Sequence, residues 1–339
     1  MNILLRWLLT TQLKPSQKQN KNSGFTLIEL LVAMILAFLV ITPLLGFMIS
    51  VLTTDGQEQA KANSEQEIKA ALDYITRDLQ QAIYIYDATG IGCLSGTTDT
   101  STANTCPNAS TTGNKLSTAT DRVPVLVFWK RELLNQAITI TGTQKDDTFV
   151  YSLVAYYLIK DTSTTWSNAA RIARWEIKDG VPNTAAIDTC DGFLATDKYL
   201  PCPDKGFKPF DLSQKGITLQ AKMNSWTNSL ASGGAYAQDA VVLVDFIDQT
   251  TIVQGAPAVT CSTGSQVPAA ANIVRTGFYA CVAPVDGDNR SAAEVYLRGN
   301  AQARLIQNDE TKVRYAQSKS SYFPSANIKV QGSSFIFTK

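Results

Sequence analysis

Two residue types stand out as able to do chemistry in this chain. The first is a carboxylate, Glu29, the only charged residue in the apolar stretch from Phe25 to Leu52. An acidic group inside such a stretch costs roughly 3 kcal/mol on membrane-insertion scales and is usually retained for a purpose. The purpose its chemistry suits is pairing with a cation where neither charge can be solvated. The bland alternative is a carboxylate near the membrane surface that snorkels out of the lipid. The second type is cysteine: Cys93, Cys106, Cys190, Cys202, Cys261 and Cys281 all lie beyond the apolar stretch. They form three local pairs, separated by 13, 12 and 20 positions. An even set in an exported domain favours disulfides, and of the fifteen possible pairings the sequential one is expected.

Other chemistry is excluded or weak. The chain has no histidine, which removes Ser-His-Asp and Cys-His machinery and His-based metal sites. No C-x-x-C, G-x-S-x-G, phosphate-binding loop or dinucleotide fingerprint occurs. Asp286-Gly287-Asp288-Asn289 lacks the full spacing of a calcium loop and reads as a turn. Asp245 and Asp248, flanking Phe246-Ile247, read as solvated charges at a strand edge. Asn108-Ala109-Ser110 fits a glycosylation acceptor but carries little weight. No enzyme, cofactor or metal is expected.

The elements that must position Glu29 follow from length and charge. The stretch from Phe25 to Leu52 exceeds the roughly 20 apolar residues that cross a bilayer. Arg6, Lys14, Lys18 and Lys21 precede it, and Asp55 and Glu58 follow it. Basic flanks stay cytoplasmic, so the C-terminal part is expected outside the cytoplasm. The whole chain carries +1. Its first 24 residues hold four of the positive charges, so the rest is about −3, which argues against a nucleic-acid surface.

The words around Glu29 narrow its role. Gly24-Phe25-Thr26-Leu27-Ile28-Glu29-Leu30-Leu31-Val32-Ala33 resembles the signal of type IV prepilins and type II secretion pseudopilins. That resemblance implies cleavage after Gly24 by a prepilin peptidase and N-methylation of Phe25. It also implies pairing of Glu29 with the N-terminal ammonium of a neighbouring subunit. The implied partners are other pilins or pseudopilins and an inner-membrane assembly platform. The implied location is a single-pass inner-membrane protein with a cytoplasmic N-terminus and a periplasmic domain, assembled into a pilus-like filament.

Further along, Pro43 and Gly46 fall within the span, and proline is expected to kink it. Thr53-Thr54-Asp55-Gly56 is expected to loosen the helix. Ser64-Glu65-Gln66-Glu67 reads as a capping box where it resumes. Ile68, Leu72, Ile75, Leu79 and Ile83 then form one apolar stripe opposite Glu65, Lys69, Asp73 and Arg77. Ile68–Ala82, with Arg77-Asp78-Leu79-Gln80-Gln81-Ala82, resembles the helix end of minor pseudopilins of the J type; otherwise Arg77 and Asp78 read as a solvated face. Asp87–Asp121 reads as a long stapled loop without an element. Strands are expected at 122–129, 148–160, 170–178, 216–222, 240–247, 277–282, 293–298, 326–330 and 334–338.

The expected fold is α+β: a long N-terminal transmembrane and assembly helix packed on antiparallel β-sheets, pilin-like, with loops stapled by disulfides. The expected divisions are a cleaved leader (1–24), a transmembrane helix (25–52), its amphipathic continuation (53–86) and an exported β-rich domain (87–339). Over its full length, through the signal, the helix end at 77–82 and the later words Tyr296-Leu297-Arg298-Gly299-Asn300-Ala301 and Ile328–Gly332, the chain resembles the pseudopilins of hormogonium polysaccharide secretion in filamentous cyanobacteria, which implies polysaccharide export for gliding motility. The alternative is a binding module displayed on a pilus, using the stapled loops with Trp166, Trp175 and Trp226.

Overall fold

The computed structural model describes residues 24–96, 106, 115–116, 121–183, 186, 189–213, 218–231, 234–283, 291–306 and 309–332. The tail 334–338, Asp286–Asn289, Asn108–Ser110 and most of the leader lie outside the described residues. The chain divides into two compact units, one ending at Asp55 and one beginning at Gly56.

Helix α1 runs unbroken from Leu27 to Gln80, with Pro43 inside it. In the first unit its side chains are exposed, and its most apolar window has a mean hydropathy of 2.7. The expected loosening at Thr53–Gly56 does not occur. The Thr53 and Thr54 hydroxyls donate back to the carbonyls of Ile49 and Ser50, so these polar residues are satisfied within the helix. Ser64 accordingly starts nothing: it is buried in mid-helix.

In the second unit, Ile68, Leu72, Ile75 and Leu79 of α1 are buried in one core with the sheets. At about 2 kcal/mol per buried aliphatic side chain, this stripe binds the helix to the fold. Glu65, Lys69, Asp73 and Arg77 remain exposed. The stripe ends earlier than its spacing implies, because the helix stops at Gln80 and Ile83 belongs to strand β1, Ala82–Ile85.

The first sheet is antiparallel in the order β1-β2-β3-β4-β5. Its members after β1 are β2 (Arg122–Thr141), β3 (Gln144–Ile159), β4 (Ala170–Lys178) and β5 (Val241–Ile247). Strands β2 and β3 are longer than their apolar runs suggest, since paired exposed residues such as Leu133 and Phe149 extend the ladder as a hairpin. The sheet is buried on both faces at its centre. Phe128 and Tyr156 stack on one side; Trp129 meets Phe207, Phe210 and Trp226 on the other. That double burial explains the unbroken apolar run from Val125 to Trp129.

The second sheet is also antiparallel, β6 (Ser265–Val267), β7 (Phe278–Ala283), β8 (Ala292–Arg298) and β9 (Ser325–Gln331). Asp248 N donates to Arg298 O at 2.9 Å, tying the end of β5 to β8.

Short α-helices also lie in the unit among the described residues. Helix α2, Ala88–Ser95, lies in the segment expected to be a loop; Asp87 caps it by accepting from Gly90 N at 2.8 Å. Helix α3, Leu219–Asn224, replaces most of the strand expected at 216–222, and Thr218 caps it by accepting from Ala221 N. Helix α4 spans Ala301–Leu305. The disulfides Cys93–Cys106, Cys190–Cys202 and Cys261–Cys281 close three local loops, with Cα separations of 5.5, 5.5 and 5.6 Å. The result is the α+β architecture of a pilin-like protein: a long N-terminal helix, antiparallel sheets and disulfide-stapled loops.

Candidate functional site

The sequence-predicted site residues Gly24, Phe25 and Glu29 lie together at the start of α1. Gly24, Phe25 and Thr26 precede the helix, and Phe25 is 80% exposed. A Cβ at Gly24 would meet nothing within 4 Å. Thr26 shapes the first turn: its carbonyl accepts from Leu30 N at 3.1 Å, and its hydroxyl faces Glu29 N at 3.4 Å. Glu29 sits in that first turn, the pole where a helix favours negative charge. It has no ion-pair partner among the described residues. The side chains around it, from Leu27 to Leu52, form a continuous exposed apolar surface. A surface of that extent belongs against lipid or other helices. The arrangement therefore offers a lone carboxylate on an uncovered apolar helix, which suits pairing with a cation once the surface is covered.

At the other end of α1 is a second constellation, absent from the sequence reading. Asp78, read there as a solvated face, is buried. Its carboxylate accepts from Arg174 Nε at 2.6 Å, Tyr156 Oη at 2.7 Å and Lys130 Nζ at 3.3 Å. Glu176 completes the group, at 2.9 Å from both Arg174 Nη1 and Lys130 Nζ. Thus one helix carboxylate holds β2, β3 and β4 at once. Burial alone would raise the Glu176 pKa; the Arg174 and Lys130 charges and hydrogen bonds outweigh it and hold it low. Burial opposes the charge on Lys130, and Asp78 and Glu176 outweigh it, leaving the ammonium pKa raised. The cluster is closed and charge-paired, which makes it a docking device rather than a reactive centre.

Two other readings are corrected by burial. Asp248 is not a solvated edge charge: it is fully buried and accepts from Arg298 Nε at 2.8 Å and from Thr250. Trp175 and Trp226 cannot form a displayed face: both are buried core residues whose indole N–H groups donate to Gln238 O and Lys208 O. Trp166 alone of the three is exposed, at 43%. Among the described residues no group of three or more His, Cys, Asp or Glu is placed to hold a metal ion.

Compared with known proteins, residues 19–45 match the family model described as the prokaryotic N-terminal methylation motif. No curated protein matches the chain. No solved structure matches it.

Proposed function

We propose that this chain is a minor pseudopilin-like subunit, cleaved after Gly24, N-methylated on Phe25 and built through α1 into a filament. The matched methylation motif supports a type IV pilin-like protein, processed by a prepilin peptidase and assembled with other pilins. The apolar helix fits a single-pass membrane anchor. The observation that carries the reading is their coincidence: the motif falls on an exposed apolar helix that keeps a single carboxylate.

Within the filament reading, Glu29 meets the Phe25 ammonium of the next subunit. The anchor spans 25–52, its N-terminus is cytoplasmic, and the domain beyond it is periplasmic, docked to an inner-membrane assembly platform. The role is structural and not catalytic. The J-type assignment is supported by the Arg77–Ala82 word, whose Asp78 fixes the helix end to the sheet. A polysaccharide cargo and a part in gliding rest on the resemblance alone, carried by the signal, the helix end and the later words together.

The test is Glu29→Ala in the native host. Insertion and cleavage proceed, because losing a charge eases insertion. Mass spectrometry then finds the mature form beginning at methylated Phe25, but the protein does not copurify with its filament. A Glu29→Ala protein that copurifies at the wild-type level would support the snorkelling carboxylate and end the reading.

A further inference from the structure

A cavity of about 810 Å³ opens in the second unit between α1, residues 163–169, β5 and the segment around α4. That is within the range of small-molecule sites, roughly 300–1,000 Å³. Its walls are built. Ser163 Oγ accepts from the N–H groups of Thr165 and Trp166, and Asp245 accepts from Ser167 N and Oγ at 2.9 and 2.8 Å. Phe246, in the lining, has φ +57°, a left-handed conformation unusual for a bulky residue and frequent at ligand sites.

Three features define what would fit. First, the carboxylates are already engaged: Glu67 by Arg304, Glu310 by Lys160, and Asp245 by the Ser167 and Phe246 donors. The neutral donors on Asp245 leave its negative charge in place, so the cavity disfavours an anion. Second, Tyr74 and Trp166 are each 43% exposed and offer aromatic surface, suited to an apolar face on a ligand that is polar elsewhere. Third, Gln249 is only 7% exposed, and its Oε1 has no hydrogen-bond partner among the described residues. A buried acceptor left open asks for a donor.

We infer that this cavity binds an uncharged oligosaccharide. Its C–H faces rest on Trp166 and Tyr74, one hydroxyl pairs with the Gln249 amide once that side chain turns into the cavity it lines, and others meet the rim of Ser163, Thr165 and Asn168. The inference stands on the cavity and not on the filament reading.

The test uses the full chain in a detergent without a sugar headgroup, which would otherwise compete. Titration calorimetry is run with cellohexaose, mannohexaose, isomaltohexaose and the anionic hexagalacturonate. At least one neutral hexasaccharide binds and hexagalacturonate does not. Trp166→Ala and Gln249→Leu each weaken that binding about ten-fold or more. Should Gln249→Leu fail to fold, the surface variant Trp166→Ala decides. The inference is overturned by no binding of any neutral hexasaccharide, as expected if the occupant is an apolar protein segment. Preference for hexagalacturonate, or unchanged binding in Trp166→Ala, also overturns it. Trp166→Ala copurifies with the filament normally, so this result and the Glu29 result are read separately.

Discussion

Asp78 sits in the last turn of α1, the pole of a helix where negative charge is least favourable. It tolerates that position because Arg174 and Lys130 face it from the sheet. Breaking a buried pair leaves the surviving charges uncompensated, so Asp78→Asn should cost about 3–5 kcal/mol. Urea unfolding checks this; a midpoint unchanged from wild type would refute the docking role. Glu176 adds a pH signature. Its folded pKa is lowered from 4.5, so its stabilisation is complete above that value and is lost as pH falls through the lowered one. The stability gap between wild type and Glu176→Gln should therefore be widest near neutrality and close in acid. Gly24, Phe25 and Glu29 could be singled out because all three fall in one contiguous word, within the matched motif. The Asp78 cluster was not, because its partners are 52, 78 and 96 positions away and only strand pairing brings them together.

At the scale of elements, the close approach of α1 to β8 turns on Gly299. A Cβ there would lie 2.5 Å from both Ile68 Cδ1 and Ser64 Oγ. Gly299→Ala should destabilise by about 1–3 kcal/mol through overpacking. Ile68→Val removes the methyl it strikes, so the double variant should lose less than the sum of the two single losses; strict additivity would show that the two do not meet. Strands β3, β4, β5 and β8 were readable as Val-, Ile- and Tyr-rich runs with turns between them. The misread elements share a cause. Helix α2 opens on Ala, Thr and Gly and is started by the Asp87 cap, and α3 depends on Thr218 in the same way. Composition reports propensity and misses a single well-placed cap. At Ile83 the error ran the other way: apolar periodicity continued past the point where the backbone had already turned into β1.

Over the whole molecule, each disulfide closes a loop and none bridges the two sheets. Holding the layers together is left to the Asp248–Arg298 contacts between β5 and β8 and to the common core, which runs from Ile68 of α1 through Trp129 and Trp175 to Val295. Replacing Cys190 and Cys202 together by serine should therefore lower stability by about 2–3 kcal/mol, the loop-closure contribution, while the far-UV circular dichroism of the folded state stays as it was. Loss of that spectrum without denaturant would mean the bridge carries more than its loop. The three-strand grip of Asp78 also has a mechanical consequence. After Gln80 the backbone passes into β1, a four-residue strand at the sheet's edge, the part of a sheet most easily peeled away. Tension along the helix would arrive there first. With Lys130, Tyr156 and Arg174 anchored to the same carboxylate, the pull is shared across three strands loaded side by side, and the seam at the edge is spared.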